Sequence, residues 1–183
     1  MANAWNNLGL LTAREGRAEE ALGFFQEALR LSPDHTIALD NLGNAYRELK
    51  QWDDARKAFA RALQVNATDA EANYGLAMVY AQTNDTEHAY EYLQNALKYR
   101  PVYPEALNNL GILYLRTQRR DQAVATFEEC IRVAPAFDQA YLNLAKVHAI
   151  EGDPLKARTI LLELLTQHPH HPQAQKALAD LPR

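Results

Sequence analysis

The sequence predicts an all-α protein built from helical hairpins, on three observations. The chain repeats with a period of 34 residues, five times without insertion or deletion, over residues 2–35, 36–69, 70–103, 104–137 and 138–171. Within each repeat, apolar or small residues recur at spacings of three and four, which places them on one face of a helix. Glycine, asparagine and proline mark the boundaries between these helices. Each repeat is therefore predicted to form two antiparallel helices.

The predicted core positions are 4, 7, 8 and 11 in the first helix of each repeat and 20, 24 and 27 in the second. Small residues at positions 8 and 20 let the two helices approach closely, and aromatic residues fill the flanking space. Only Thr12, Asn73 and His148 depart from the apolar or small pattern. The first and fourth repeats give these residues at core positions: Trp5, Leu8, Gly9, Ala21, Phe25, Ala28, Leu107, Leu110, Gly111, Tyr114, Ala123, Phe127 and Cys130.

The helix boundaries follow from residues with special backbone requirements. Gly16, Asn84 and Gly152 tolerate positive φ and predict tight turns inside hairpins. Asp153 followed by Pro154 predicts a cap and a first helical turn. Residues 172–181 keep the helical phase and predict a capping helix or a truncated sixth repeat. A proline at position 32 ends the second helix in four repeats: Pro33, Pro101, Pro135 and Pro169. In the second repeat Ala67 stands at this position, so we expect a less sharply broken junction between the second and third repeats.

Composition narrows the class of partner. The chain has 183 residues and a net charge of −4, and its basic residues are scattered, so we expect no nucleic-acid partner. The chain contains no run of 18 apolar residues, so we expect no membrane-spanning helix. Without a secretory leader in this chain, we expect the cytoplasm. The first helix begins at residue 2 with no capping residue before it, from which we expect a fragment of a longer protein.

The recurring Leu-Gly, Tyr, Ala, Phe, Ala and Pro, with Trp5 at the start of the first repeat, resemble the tetratricopeptide repeat over residues 2–171. The resemblance implies a right-handed α-α superhelix, a solenoid of five hairpins plus a short C-terminal helix. It also implies that the first helix of each hairpin lines a concave groove. Members of this family bind other proteins, so the resemblance implies a protein or peptide partner.

The most regular feature of the predicted groove is an asparagine at position 6 of four repeats: Asn7, Asn41, Asn109 and Asn143. Gly75 interrupts this ladder. An asparagine amide is both donor and acceptor, so it can pair with the backbone of an extended peptide. The ladder is similar to the asparagine-lined repeats of O-linked N-acetylglucosamine transferase, where asparagines contact bound polypeptide. The alternative is that these residues are solvated positions on the helix surface.

Asn44 and Asn108 are also predicted to line the groove. Specificity is expected from a mixture of charged and apolar groove residues: Arg14, Asp40, Arg47, Glu71, Tyr74, Met78, Glu105, Ile112, Arg116 and Lys146. Tyr74 beside Gly75 predicts an aromatic wall and a small pocket for an apolar anchor, or else an ordinary surface tyrosine and glycine. Tyr103 and Phe137 extend this wall or pack between repeats. The carboxylate clamp that some family members use for chaperone tails is absent, because Asn6, Glu71 and Gly75 occupy its basic positions.

No motif predicts catalysis, a cofactor or a metal site, so we expect no enzyme. Cys130 stands where other repeats have alanine and predicts an inert buried residue. His168, His170 and His171 lack helix-fixed ligand spacing and predict a polar turn rather than a metal site. His148 replaces the usual tyrosine and predicts a core histidine.

The sequence therefore favours a non-catalytic interaction scaffold that binds an extended peptide in a concave groove. Two alternatives stay open. One is self-assembly by end-to-end stacking of repeats, because terminal repeats need polar outer faces to prevent it. The other is an accessory, substrate-recruiting domain of a larger enzyme such as a glycosyltransferase.

Overall fold

The computed structural model describes residues 1–182, and in that range every regular element is an α-helix. The all-α prediction is confirmed. The helices are α1 (Ala2–Arg14), α2 (Ala18–Leu31), α3 (Thr36–Glu48), α4 (Trp52–Val65), α5 (Ala70–Gln82), α6 (Thr86–Tyr99), α7 (Pro104–Arg116), α8 (Arg120–Val133), α9 (Asp138–Ile150), α10 (Pro154–Gln167) and α11 (Pro172–Asp180).

The helices fall into two compact units. Unit 1 spans Met1–Pro101 and holds α1 to α6, and unit 2 begins at Val102 and holds α7 to α11. Within each unit, every helix packs on the next one in sequence, and the first helices of successive hairpins also contact each other. In unit 1 these first helices are α1, α3 and α5, and in unit 2 they are α7 and α9. We call the side of each unit that these helices form its first-helix surface.

The hairpin core depends on a matched pair of residues at positions 8 and 24. Where position 24 is phenylalanine, position 8 is glycine, and a Cβ added there would lie within 2.6 Å of Phe25, 2.7 Å of Phe59 and 2.5 Å of Phe127. Where position 24 is leucine, position 8 is alanine. The smaller ring-free side chain leaves room for one methyl group, so each hairpin fills its core in one of two ways. The five pairs are Gly9/Phe25, Gly43/Phe59, Ala77/Leu93, Gly111/Phe127 and Ala145/Leu161.

The three polar residues at predicted core positions are buried. Thr12 is 4% exposed and donates from Oγ1 to the carbonyl oxygen of Leu8 at 2.9 Å. Asn73 is 2% exposed and donates from Nδ2 to the carbonyl oxygen of Asp69 at 2.7 Å. The ring of His148 is also buried, with Nδ1 3.7 Å from a carboxylate oxygen of Glu151. Bonds to the helix backbone thus let Thr12 and Asn73 occupy the core face.

The predicted turns are confirmed, and two further ones have the same geometry. The φ angles of Gly16, Asn84 and Gly152 are 78°, 62° and 81°. Lys50 and Gln118, for which no turn was predicted, have φ angles of 59° and 61°. All five residues stand at position 15 of their repeats. The period therefore fixes this left-handed residue even where it is neither glycine nor asparagine.

The junction at Ala67 is as sharp as the others, so that expectation was wrong. Helix α4 ends at Val65, and its C-cap, Asn66, has φ −135° and ψ 95°, close to the −134° and 87° of Arg100 before Pro101. The side chain of Asn66 stabilises the turn after α4, where the other junctions have a proline. Its Oδ1 accepts from the backbone nitrogen of Thr68 at 3.2 Å and from the hydroxyl of Thr68 at 2.9 Å, closing a local turn.

Two predicted core residues of the first repeat are exposed. Trp5 is 36% exposed and stacks on Phe24 with ring centroids 5.9 Å apart, and Leu8 is 41% exposed. The corresponding residues of α3, Leu39 and Leu42, lie against a preceding helix and are buried. In the described chain no helix covers that face of α1. At the other end, α11 packs on α9 and α10 and buries Ala174 completely.

Candidate peptide-binding surface

The first-helix surface of unit 1 carries the predicted groove residues in different states of burial. Asn7 and Asn44 are exposed, and the others are half-buried: Asn41, Arg47, Tyr74 and Met78. Within the described residues Asn7 makes no side-chain hydrogen bond, and Asn41 makes one. The ladder positions in this unit therefore differ in how firmly each amide is held.

The amide of Asn41 is fixed by the first helix of the preceding hairpin. Its Nδ2 donates to Oδ1 of Asn6 at 2.9 Å, and Asn6 is only 5% exposed. Unit 2 repeats the arrangement, since Nδ2 of Asn143 donates to Oδ1 of Asn108 at 2.8 Å. Each bond joins position 5 of one hairpin to position 6 of the next. These bonds orient an amide on the surface and tie adjacent first helices together.

Asn108 is therefore not an open groove residue. It is 6% exposed, and its Oδ1 accepts from Nδ2 of Asn143. Asn109 at the next position is half-buried and donates from Nδ2 to the carbonyl oxygen of Glu105 in its own helix at 2.8 Å. Asn6 was considered in the sequence only as a position of the absent clamp, and its supporting role was missed.

Asp40 occupies position 5 in the second hairpin, where its counterparts are Asn6 and Asn108. It is 8% exposed, and its Oδ1 is buried without a hydrogen-bond partner among the described residues. Burial and the nearby carboxylates of Asp69 and Glu71 raise the pKa of the Asp40 carboxyl from 3.8 to about 7. Asp40 was predicted to line the groove, but its burial was not predicted. The signal was available, because an ionisable residue stands where two other repeats have a neutral amide.

Gly75 does not open the pocket that the sequence predicted beside Tyr74. Gly75 is buried, and a Cβ at this residue would lie 2.4 Å from the ring of Phe59. The space that a side chain would need is filled from the preceding hairpin. Tyr74 is half-buried on this surface, and Glu71 pairs with Arg100 through Oε1 and Nη1 at 2.5 Å.

In unit 2 the structure brings three predicted residues together. Ile112, Asn143 and Lys146 line an open cavity of about 410 Å³ together with apolar side chains of α7 and α9, Leu115, Val147 and Ile150. Asn143 and Lys146 also line a second cavity of about 470 Å³, bounded by α9, α10 and α11. Arg116 is exposed. The oriented amide of Asn143 thus lies between two depressions with largely apolar walls.

Tyr103 and Phe137 precede α7 and α9 as their N-cap residues. Tyr103 is 6% exposed and Phe137 is half-buried, so Tyr103 does not form an open aromatic wall.

The residues considered for chemistry have structural roles. Cys130 is fully buried, its Sγ donates to the carbonyl oxygen of Pro104 at 3.4 Å, and burial raises the pKa of its thiol to about 11. His168 and His171 lie 3.2 and 3.4 Å from the carboxylate of Asp138. His171 also caps α11 by accepting from the backbone nitrogen of Ala174.

Among residues 1–182, no group of three or more His, Cys, Asp or Glu side chains is arranged to hold a metal ion. No helix in the same range is long and apolar enough to cross a membrane.

Comparison with known proteins identifies the repeat. Three family models described as tetratricopeptide repeat match residues 1–68, 84–129 and 108–172. The uncharacterized protein ycf37 of Pyropia yezoensis is 36% identical over 58 residues, which cover 32% of this chain and 31% of that protein. Protein O-mannosyl-transferase Tmtc3 of Drosophila melanogaster is 39% identical over 57 residues, which cover 31% of this chain and 6% of that protein. The chain thus matches less than a third of the length of either relative.

Among solved structures, YrrB is described as a TPR protein with an unusual peptide-binding site. It matches with a TM-score of 0.68 at 24% identity, covering 97% of this chain and 91% of that one. The likeness therefore extends over nearly all of the hairpins described above. The period of 34 residues, the helical hairpins and the three matching models show that the chain belongs to the tetratricopeptide repeat family.

Proposed function

We propose that this chain is a non-catalytic interaction module whose first-helix surfaces bind an extended peptide by its backbone. Tetratricopeptide repeat proteins are in general non-catalytic scaffolds for protein interaction, and YrrB carries a peptide-binding site by its description. The observation that carries the proposal is the pair of bonds that fix Asn41 on Asn6 and Asn143 on Asn108, at 2.9 and 2.8 Å.

The fixed asparagines have the chemistry that a peptide backbone requires. An amide nitrogen carries two hydrogens, and the bond to the neighbouring helix uses one, so the second remains for a peptide carbonyl. The Oδ1 atom can accept from a peptide N–H. In Asn143 this oxygen also accepts from Nε2 of Gln139 at 3.4 Å, which leaves its second lone pair for the peptide. Because the neighbouring helix already holds the amide, little side-chain freedom is lost when a ligand binds. Backbone contacts of this kind favour extended ligands of varied sequence.

Specificity in unit 2 comes from the cavity beside Asn143. Its apolar walls include Ile112, Leu115 and Ile150, and its volume of about 410 Å³ suits one or two apolar side chains of the ligand. We expect the preferred peptides to place an apolar residue next to the backbone segment that Asn143 holds.

The test begins with an array of 12-residue peptides that tile a proteome, from which binders are chosen. We expect Asn41→Ala to weaken the binding of peptides held by unit 1, and Asn143→Ala that of peptides held by unit 2, each by roughly 5-fold, since each hydrogen bond contributes roughly 1 kcal/mol. N-methylation of the contacted peptide nitrogen should have a similar effect. Gln94→Ala and Gln122→Ala, exposed changes on the second helices α6 and α8, are the matched controls. Equal binding by all these variants would refute the backbone mechanism.

A second candidate function, self-association, rests on the exposed apolar face of α1. Trp5, Leu8 and Leu11 are 36%, 41% and 58% exposed, and apolar residues clustered on a surface are typical of contact sites. If this face binds a second copy, light scattering will show a mass that rises with concentration in the wild type. Leu11→Glu should restore a constant monomer mass, and Leu155→Glu, a change at an even more exposed leucine on α10, should not.

The match to Tmtc3 supports a further alternative, in which this chain is the substrate-recruiting domain of a larger enzyme that transfers a sugar. Fusion of this chain to a mannosyltransferase domain tests the idea. The fusion should raise kcat/KM for peptides that the repeats bind and leave it unchanged for peptides that they do not bind.

A further inference from the structure

The second hairpin departs from the asparagine pattern at two linked positions. In the first and fourth hairpins, position 5 is an asparagine whose Oδ1 accepts from the asparagine at position 6 of the next hairpin, Asn41 or Asn143. In the second hairpin, position 5 is Asp40, and position 6 of the next hairpin is Gly75. Asp40 thus has the buried placement of its counterparts, with a negative charge added and the donor removed.

No other group within residues 1–182 replaces the missing donor. Oδ1 of Asp40 is buried and accepts no hydrogen bond from any described group. The ring of Phe59 fills the Cβ position at Gly75, with its nearest atom at 2.4 Å, so this helix cannot carry a side chain there without rearrangement. An unpaired buried carboxyl is costly, because desolvation of the acid is not offset by a partner.

The surroundings of Asp40 favour a positive ligand. The carboxylates of Asp69 and Glu71 lie close enough to raise the pKa of Asp40 beyond the effect of burial. Asp69 is held as the N-cap of α5, where it accepts from the backbone nitrogens of Glu71 and Ala72. Glu71 already pairs with the guanidinium of Arg100, so the rim of this cluster has a geometry that accepts such a group.

We propose that Asp40, with Asp69 and Glu71 at its rim, is a recognition site for a basic side chain, the guanidinium or ammonium of an arginine or lysine in the bound peptide. The proposal rests on the peptide-binding function above and adds a charge preference to it. The incoming cation supplies the donor that Gly75 lacks and neutralises the buried acid. Charge-assisted hydrogen bonds of this kind are roughly twice as strong as neutral ones.

The experiment uses the whole chain and two small probes, N-acetyl-arginine amide and its neutral analogue N-acetyl-citrulline amide. The carboxyl ¹³C resonance of Asp40 is followed by NMR at pH 7.5 during titration of each probe to about 50 mM, a range suited to millimolar affinity. We expect saturable movement with the arginine probe, a weaker response with the citrulline probe, and a lower Asp40 pKa in the arginine complex.

Asp40→Asn is the decisive variant, and it restores the residue that two other hairpins carry, so it is expected to fold. Binding to this variant is followed at the carboxyl resonances of Asp69 and Glu71, and the arginine probe should bind at least about 10-fold more weakly. Asp53→Asn, a change at a carboxylate that is 77% exposed on α4, should leave binding unchanged. Equal responses to the two probes, no response at Asp40, or full binding by Asp40→Asn would overturn the proposal.

The outcome is separable from that of the backbone mechanism. The probes have no extended backbone to engage Asn41 and Asn143. Failure of the asparagine variants to weaken peptide binding would therefore leave the result at Asp40 intact, and the reverse also holds.

Discussion

Phe59 lies against Gly75 so closely that a Cβ atom on residue 75 would be 2.4 Å from the aromatic ring. The same ring approaches Gly43 in its own hairpin, where an added Cβ would be 2.7 Å away. One aromatic side chain thus fills the space above two glycines, each in a different hairpin. This contact couples the second hairpin to the third.

The first prediction concerns that contact. Gly75→Ala should destabilise the protein by about 1 to 3 kcal/mol, because the ring of Phe59 must shift within a packed core. Gly23 is the matched control: it also lies inside a helix, but nothing lies within 4 Å of its added Cβ. Gly23→Ala should stabilise by roughly 0.5 to 1 kcal/mol through helix propensity. Urea denaturation measures both, and a stabilising Gly75→Ala would contradict the packing.

A second prediction tests whether the core has two interchangeable fillings. Gly111→Ala should destabilise by about 1 to 3 kcal/mol, and Phe127→Leu should destabilise by a similar amount by leaving a cavity. The double variant has the alanine–leucine pair that Ala77 and Leu93 form in the third hairpin. It should lose less free energy of unfolding than the sum of the losses in the two single variants. A double-mutant cycle measures this coupling. Strict additivity would show that the pairs are not matched.

The fold was predictable because spacing alone determines it. Core positions at spacings of three and four define the helices, and proline or its equivalent ends them at the same phase. The left-handed φ of Lys50 and Gln118 was missed because neither residue type signals a turn. Position 15 in the repeat was the usable signal.

The candidate site was predicted only in part. Asn7 and Asn41 do lie on the first-helix surface, as their helical phase requires. The bonds from Asn41 to Asn6 and from Asn143 to Asn108 depend on the angle at which successive first helices cross, which residue spacing does not encode. For the same reason the burial of Gly75 beneath Phe59 was unforeseen.

A third prediction follows from the junction at Ala67. The other junctions have proline at this position, and Asn66 already has the extended backbone that proline requires of the residue before it. Ala67→Pro should therefore stabilise the protein by about 0.4 to 1 kcal/mol by restricting the unfolded chain. Pro33→Ala is the reverse change and should destabilise. A lower thermal midpoint for Ala67→Pro would mean that its backbone differs from that of the proline junctions.

A fourth prediction concerns pH. The folded-state pKa of Asp40 is about 7 against 3.8 for the free group, so between these values the folded protein holds a proton that the unfolded chain has released. The contribution of this proton to the free energy of unfolding is fully present below pH 3.8 and is lost as the pH rises towards 7. Asp40→Asn removes that loss and should stabilise the protein at pH 8 by up to about 4 kcal/mol, with little effect at pH 3.5.

Chemical denaturation at both pH values measures the effect of Asp40→Asn, with Asp53→Asn as the exposed control. A gain of equal size at pH 3.5 and pH 8 would show that titration of Asp40 is not its source.

The fifth prediction concerns Cys130. Full burial and a thiol pKa of about 11 leave little thiolate at pH 8, so folded protein should react with iodoacetamide at least about 100-fold more slowly than protein unfolded in guanidinium. Mass spectrometry follows the reaction. Comparable rates in the two states would show that the hairpin opens readily. Cys130→Ala should change the free energy of unfolding only slightly, because Ala28, Ala62 and Ala96 occupy this position in other hairpins.

Contacts within one hairpin and contacts between adjacent hairpins would be inherited differently in a gene that gains or loses one repeat. Gly111 and Phe127 lie in the same hairpin and are inherited together, so a duplicated segment arrives with its core already matched. Asn6 with Asn41, or Asp40 with Gly75, stand in adjacent hairpins and would be reassorted at the new boundary. Unequal recombination would thus preserve the ability to fold while generating new combinations of surface amides and charges.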